Sequence, residues 1–289
     1  MLELVDLAKR HASVDSVLSP TAISGLQLSR SSLPYDPVPQ LQRPAFCYIV
    51  QGQKEVTVGD QVYRYGAGEY LVVAVDLPMF GNVLQATPDV PYLSYLVNID
   101  PALVYDLLST GKFASDSDTS PAVYVGRDDG VLADPLLRLA RCLLNTSDAA
   151  VLGAGYIREV IYRLLQSDLG SAVRDLGKAG SHTQRLTMSL KRLQHAYTEP
   201  LHVGELARLA GMSKSTFYDQ FKRLTNLTPI QYQKQLRLHE ARRLLQTETI
   251  GVADAGFRVG YQSPSQFSRE YARLFGKSPN QDRHPVQPA

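Results

Sequence analysis

The chain is expected to be α+β: an antiparallel β barrel or sandwich carrying a helical extension, followed by an all-α domain. Three observations carry this expectation. Short apolar strands separated by glycine and proline turns crowd residues 44–99, apolar residues recur at helical spacing from His182 onward, and residues 213–229 recur at 263–279. At 289 residues, 44% apolar and 20% charged, the chain has room for two buried cores, and its composition excludes a collagen-like, mucin-like or broadly disordered organisation. Two cysteines, Cys47 and Cys142, exclude a disulfide scaffold and a four-thiolate zinc site. No apolar run approaches the roughly 20 residues of a membrane helix. The N-terminus, with Glu3, Asp6, Lys9, Arg10 and His11, lacks a signal-peptide core, so the cytoplasm is the expected compartment.

The net charge of +2 conceals an asymmetry. Residues 1–180 hold 14 Lys and Arg against 20 Asp and Glu, whereas residues 181–289 hold 16 against 8. A basic C-terminal module joined to an acidic, tyrosine-rich one points to a polyanion binder attached to something else. Domains are accordingly expected at 1–180 and 182–289.

Taken in order, strands are expected at 46–50, 54–58, 61–65, 70–75, 80–84 and 93–99, with turns at Gln51-Gly52, Gly59-Asp60, Gly66-Ala67-Gly68, Pro78, Gly81-Asn82 and 88–91. Such closely spaced strands without intervening helices indicate an antiparallel sandwich or barrel. Pro101 starts a helical region, and helical spacing marks 134–145 (Leu136, Leu139, Leu143) and 149–167 (Tyr156, Val160, Leu164). Residues 115–121 read as a loop and 170–181 as the interdomain linker. Beyond His182, Leu186, Leu190, Leu193 and Tyr197 form one stripe of a helix that stops before Pro200, and a short helix with Val203, Leu206, Ala207 and Ala210 inward ends at Gly211.

The repeat is exact in offset. Ser213, Ser215, Phe217, Phe221, Arg223, Leu224 and Pro229 recur 50 residues later as Ser263, Ser265, Phe267, Tyr271, Arg273, Leu274 and Pro279. Upstream the offset is 49, pairing Gly211 with Gly260 and Ala207 with Gly256. Ser213 and Ser263 are placed as N-caps, Pro264 at a first helical position, and the two glycines end the preceding helices. Each copy is thus a helix-turn-helix. Phe217, Phe221 and Leu224, like Phe267, Tyr271 and Leu274, face inward and leave an open face that can enter a major groove. A helix over 230–247, holding Arg237, Arg242 and Arg243 beside core residues, should be a rigid spacer that sets the two reading helices roughly 34 Å apart. Seven helices are expected from 182 onward.

These residues resemble a known family. The run 202–229, with Ala207-Arg208-Leu209-Ala210-Gly211-Met212-Ser213, is similar to the first helix-turn-helix of AraC/XylS-type transcription regulators, and 256–269 to the second. Val50-Gln51-Gly52-Gln53-Lys54 and Tyr70-Leu71-Val72-Val73 resemble the cupin-like N-terminal domain of one branch of that family. The resemblance implies a regulator that binds double-stranded promoter DNA through its C-terminal module, senses a small organic effector or forms a homodimer through its N-terminal one, with a dimerisation segment within 131–170, and acts on RNA polymerase.

On the open faces, Arg269 can grip guanine bidentately or contact a phosphate. Asp219 can accept from cytosine, or pair with a neighbouring cation, which is the favoured reading. Ser215, Thr216, Tyr218, Ser265, Gln266 and Ser268 can touch bases or phosphates. Lys214, Lys222 and Arg223 are expected phosphate ligands, and Arg273, the counterpart of Arg223, completes the set. In the β domain, Tyr48, Tyr63, Tyr70, Phe80 and Tyr95 are candidates to line an effector pocket, with a filled core as the competing reading. No metal, cofactor or catalytic residue is expected: the histidines are His11, His182, His195, His202, His239 and His284, so residues 12–181 supply no imidazole cluster. Cys47 reads as a buried strand residue rather than a nucleophile.

Overall fold

A computed structural model of the chain describes residues 1–111, 113, 121–167, 170–178 and 180–283. It comprises two compact units, Met1–Arg185 with Arg223–Asn226, and Leu186–Lys222 with Leu227–Ala289.

The first unit opens with α1 (Leu2–His11), followed by β1 (Ser16–Pro20), β2 (Leu26–Ser31), β3 (Val38–Gln42), β4 (Ala45–Gln51), β5 (Gln53–Val58), β6 (Gln61–Gly66), β7 (Glu69–Val73), β8 (Leu77–Gln85) and β9 (Tyr92–Asn98). Then come α2 (Pro101–Thr110), β10 (Val123–Arg127), α3 (Ala133–Cys142), α4 (Thr146–Gln166) and α5 (Ser171–Gly177). The strands form a six-stranded sheet, β1-β2-β9-β4-β7-β10, and a four-stranded sheet, β3-β8-β5-β6, antiparallel throughout. The six strands expected over 44–99 are β4 to β9. Strands β1, β2, β3 and β10 and helix α1 are additional to them.

The register decides which side chains meet. In β5, Lys54, Val56 and Val58 are buried and alternate with partly exposed residues, the signature of one inward face. Tyr65 lies opposite Lys54, and its hydroxyl donates to Cys47 Sγ on β4 of the other sheet at 3.6 Å. Cys47 therefore faces the space between the sheets, and Tyr48, its neighbour along the strand, faces the opposite way. That outer face is covered by helix: Tyr95, opposite Tyr48 in the register, donates its hydroxyl to the Leu4 carbonyl of α1 at 2.8 Å. Cover on both faces explains why β4 is apolar at consecutive positions, with Ala45 to Val50 all buried.

The expected linker needs correction. Residues 171–177 of the expected linker form α5, whose Ala172, Val173 and Leu176 are buried, and a Cβ on Gly177 would meet Val104 Cγ1 of α2 at 2.6 Å. Apolar spacing too short to show a period is nevertheless enough to pack a helix of about two turns. Ala179 of that stretch, His284 and positions 115–120 of the expected loop lie outside the described residues.

The second unit is helical: α6 (His182–His195), which begins four residues before the unit does, α7 (Val203–Leu209), α8 (Lys214–Thr225), whose last three residues fall in the first unit, α9 (Pro229–Thr247), α10 (Val252–Arg258) and α11 (Pro264–Phe275). Among the described residues these are six helices from 182 onward, not seven. Leu186, Leu190 and Leu193 are buried along one stripe of α6. Helix α9 begins one residue earlier than expected because Thr228 and Gln231 form a reciprocal cap: Thr228 Oγ1 accepts from the Gln231 amide at 3.3 Å while Gln231 Oε1 accepts from the Thr228 amide at 2.8 Å. Leu238, Leu244 and Leu245 of α9 pack with Ala255, Val259, Tyr261, Phe267 and Tyr271 in one core.

Candidate nucleic-acid interface

The two repeats fold through the same hydrogen bonds at the same offsets. At the end of α7, the Met212 amide donates to Ala207 O at 2.9 Å and the Gly211 amide to Arg208 O at 3.0 Å; at the end of α10, Tyr261 donates to Gly256 O at 3.0 Å and Gly260 to Phe257 O at 3.0 Å. These paired bonds define a Schellman ending, which demands a left-handed residue, and Gly211 (φ +65°) and Gly260 (φ +91°) supply it. Ser213 Oγ then accepts from the Thr216 amide at 3.2 Å, and Ser263 Oγ from the Gln266 amide at 3.3 Å, capping α8 and α11.

Behind these caps, Phe217 and Phe221, and correspondingly Phe267 and Tyr271, are fully buried. Their rings meet along each helix with centroids 5.5 Å apart in both copies, tilted at 48° in the first and edge-on at 69° in the second. The one-residue difference in offset is absorbed in the turn, and a Cβ on Gly256 would meet the Phe267 ring at 3.0 Å, so the second copy brings its two helices closest at a glycine.

The opposite face is open in both copies. Lys214, Ser215, Thr216, Asp219, Lys222 and Arg223 are exposed on α8 and Tyr218 is half-buried; Ser265, Gln266, Arg269 and Arg273 are exposed on α11 and Ser268 is half-buried. Among the described residues, Lys214, Lys222, Arg269 and Arg273 form no ion pair. Elsewhere in the unit several cations are engaged, Arg192 with Glu199, Lys234 with Glu270, Arg242 with Asp282, and Arg243 and Arg258 with Glu248, whereas Lys191, Arg208 and Lys277 also form no ion pair among the described residues. The favoured intramolecular role of Asp219 is not seen, because no cation lies within ion-pair distance of its carboxylate among the described residues.

Some open-face groups have partners. The Ser215 and Thr216 hydroxyls contact Ser213 Oγ at 3.0 and 2.8 Å, so they stiffen the cap as well as facing out. Gln266 Nε2 donates to Glu270 Oε1 at 3.2 Å, which leaves its carbonyl oxygen outward. Glu270 also accepts from Lys234 Nζ and from the Tyr261 hydroxyl, each at 2.8 Å, and these bonds hold its carboxyl below the usual range against the opposing effect of burial. Sequence reading missed this network, although Lys234 and Glu270 were visible as charges on adjoining helices.

In the first unit, the five pocket candidates do not converge. Tyr48, Tyr70 and Tyr95 share one register row on the outer, helix-covered face of the large sheet. Tyr48 donates to Asp128 Oδ2 at 3.0 Å, and Tyr70 borders a surface cleft of about 490 Å³ with Arg127, Asp128 and Arg163. Tyr63 lies opposite the inward Val56, whereas Phe80 lies opposite Thr57 and faces away from the other sheet. The space between the sheets instead gathers Cys47, Lys54, Tyr65 and Tyr92. Burial pulls the Lys54 ammonium down from its ordinary range and pushes the Tyr65 and Tyr92 phenols up. The signal was legible in part, since Lys54 falls on the apolar face of an alternating strand. Among the described residues no three His, Cys, Asp or Glu side chains could hold a metal, and no helix is long and apolar enough to cross a membrane.

Comparison with known proteins agrees with this geometry. Residues 22–172 match the AraC-type transcriptional regulator N-terminus, and residues 206–284 match a helix-turn-helix domain. The Msm operon regulatory protein of Streptococcus mutans is 22% identical over 243 residues, spanning 83% of this chain and 84% of its own. The HTH-type transcriptional regulator ArgR of Pseudomonas aeruginosa is 28% identical over 150 residues, 52% of this chain and 46% of its own. The unsaturated fatty acid-bound ToxT of Vibrio cholerae, 10% identical, matches in fold with a TM-score of 0.55 over 92% of this chain and 96% of its own. The chain belongs to the AraC family of DNA-binding transcriptional regulators, with an AraC-type N-terminal domain ahead of a helix-turn-helix DNA-binding domain.

Proposed function

We propose that α8 and α11 each read a major-groove element of one promoter site, Arg269 gripping a base and Lys214, Lys222, Arg223 and Arg273 holding phosphates. The observation that carries this reading is the pair of equivalent, exposed helix faces on which Lys214, Lys222, Arg269 and Arg273 form no ion pair among the described residues. Selection from random duplexes followed by footprinting tests it. Two protected elements about one helical turn apart on one side of the duplex are expected. On the selected site, Arg269→Ala should relax preference at one base pair, while Lys222→Ala should weaken matched and mismatched duplexes alike. Equal loss on both duplexes for Arg269→Ala would remove Arg269 from the readers.

The first unit is the regulatory half of this reading, serving as a sensor and a homodimer contact through the helices within 131–170, with RNA polymerase as the downstream partner. One observation favours an effector of acidic character: Lys54 is buried between the sheets and, among the described residues, has no carboxylate partner. An organic acid, such as the unsaturated fatty acid bound by ToxT, supplies the missing negative charge.

A further inference from the structure

We propose that Arg237, on the spacer helix α9, is the positioning residue that sets the register between the two reading helices and hence the spacing of the DNA elements they accept. Its planar guanidinium is a bridge between the two motifs. Nε donates to Tyr197 O at 2.6 Å, and Nη2 donates to Thr198 O at 3.2 Å and Glu199 O at 2.9 Å, all in the segment that leads into the first motif. Nη1 donates to Gly260 O at 3.1 Å, in the turn of the second.

Four backbone acceptors on two segments of chain need donors that diverge in one plane, which a guanidinium has and an ammonium lacks. Gln233, one turn earlier on α9, reinforces the first anchor by donating to Tyr197 O at 3.0 Å and Glu199 O at 2.8 Å. The two segments also touch directly, since a Cβ on Gly260 would lie 2.3 Å from Thr198 O.

The bridge continues to the reading helix itself. The guanidinium carbon lies 5.8 Å from the centre of the Tyr261 ring, Tyr261 donates to Glu270 on α11, and Glu270 holds Gln266 on the open face. Breaking the bridge frees the first motif to turn relative to the second without removing any side chain that contacts DNA. The consequence is specific. Inserting two base pairs between the elements displaces one of them by roughly 7 Å and rotates it by about 70°. A rigid protein then forfeits one element, whereas a hinged one follows it.

This inference rests on the reading that both helices engage DNA, and the experiment separates the two. The full chain is used to select a duplex from a random library. Affinities of the wild type, Arg237→Ala and Arg237→Lys are then measured for that duplex and for versions with two base pairs inserted or deleted between the elements. Loss of even one matched contact is worth roughly tenfold, so the wild type should fall at least about tenfold on the altered spacings. Arg237→Ala should fall less than about threefold, with Arg237→Lys between. A purely structural role lowers the active fraction for every duplex alike and leaves the ratio unchanged. Arg237→Lys, which keeps charge and bulk, carries the test if the alanine variant does not fold. A wild-type ratio in the measured variant overturns the clamp alone. Selected duplexes that contain a single element overturn the two-helix reading and the clamp with it.

Discussion

Two glycines end helices in the same backbone conformation and differ in what surrounds them, which makes a controlled prediction. Gly260 (φ +91°) and Gly276 (φ +69°) both occupy left-handed positions, so Ala at either costs about 1–2 kcal/mol for the Cβ alone. At Gly276 nothing lies within 4 Å of that Cβ. At Gly260 the new atom would lie 2.3 Å from Thr198 O and 2.9 Å from both Thr198 C and Cα, all backbone, so the segments must separate by more than half an ångström. Overpacking of this kind adds about 1–3 kcal/mol. With about 4–8 °C per kcal/mol for a domain of this size, Gly276→Ala should lower the transition of the second unit by roughly 4–16 °C and Gly260→Ala by a further ~4 °C at least, and by roughly 10–15 °C in the middle of the range. Scanning calorimetry of the whole chain reads both. Transitions within about 3 °C of each other would show that the contact between Gly260 and Thr198 yields freely, and would refute the argument that backbone apposition joins the two motifs.

Two further outcomes follow from buried groups. Burial, with Arg242 adding to it, lowers His239 from 6.5 to about 4, so the neutral ring belongs to the folded state. As pH falls below 6.5 the unfolded chain takes up the proton first, and stability present above pH 6.5 is lost progressively down to about pH 4, by about 2–3 kcal/mol at most. Urea titrations at pH 7.5 and 4.5 should show a smaller loss in His239→Gln than in the wild type, and equal losses would dismiss the histidine as the cause. Oleate at a hundred times its dissociation constant should stabilise the first unit by about 2.7 kcal/mol, and Lys54→Met should abolish the effect. An undiminished shift in the variant would place the acid elsewhere.

The C-terminal module was legible because its information is local. Ser213, Gly211, Ser263, Pro264 and Gly260 each do one short-range job, capping a helix or ending one, and such jobs are written within a few residues of where they act. The constant offset then shows that the job is done twice. What no local pattern displays is the traffic between motifs. Arg237 looked like one more cation on a spacer helix, yet its partners lie 23 to 40 positions away and are backbone carbonyls, which every residue type presents.

The β unit erred in the complementary direction. The central strands were visible as apolar runs between turns, but face assignment in a sheet depends on parity, and a strand covered on both sides carries no parity signal. Hence Tyr48, Tyr70 and Tyr95 could be grouped with Tyr63 and Phe80 as lining one interior, although the register puts the first three against helices. A single long-range contact, from Tyr65 to Cys47, is what assigns the faces. The inward set is then Cys47, Lys54, Tyr65 and Tyr92, and the composition of that set changes the chemistry: five aromatic rings suit a neutral, stacking ligand, whereas an ammonium among phenols suits an acid. Under the proposed sensor reading, the class of effector turns on which way one strand faces, and the titration of Lys54→Met with oleate is a test of the register as much as of the ligand.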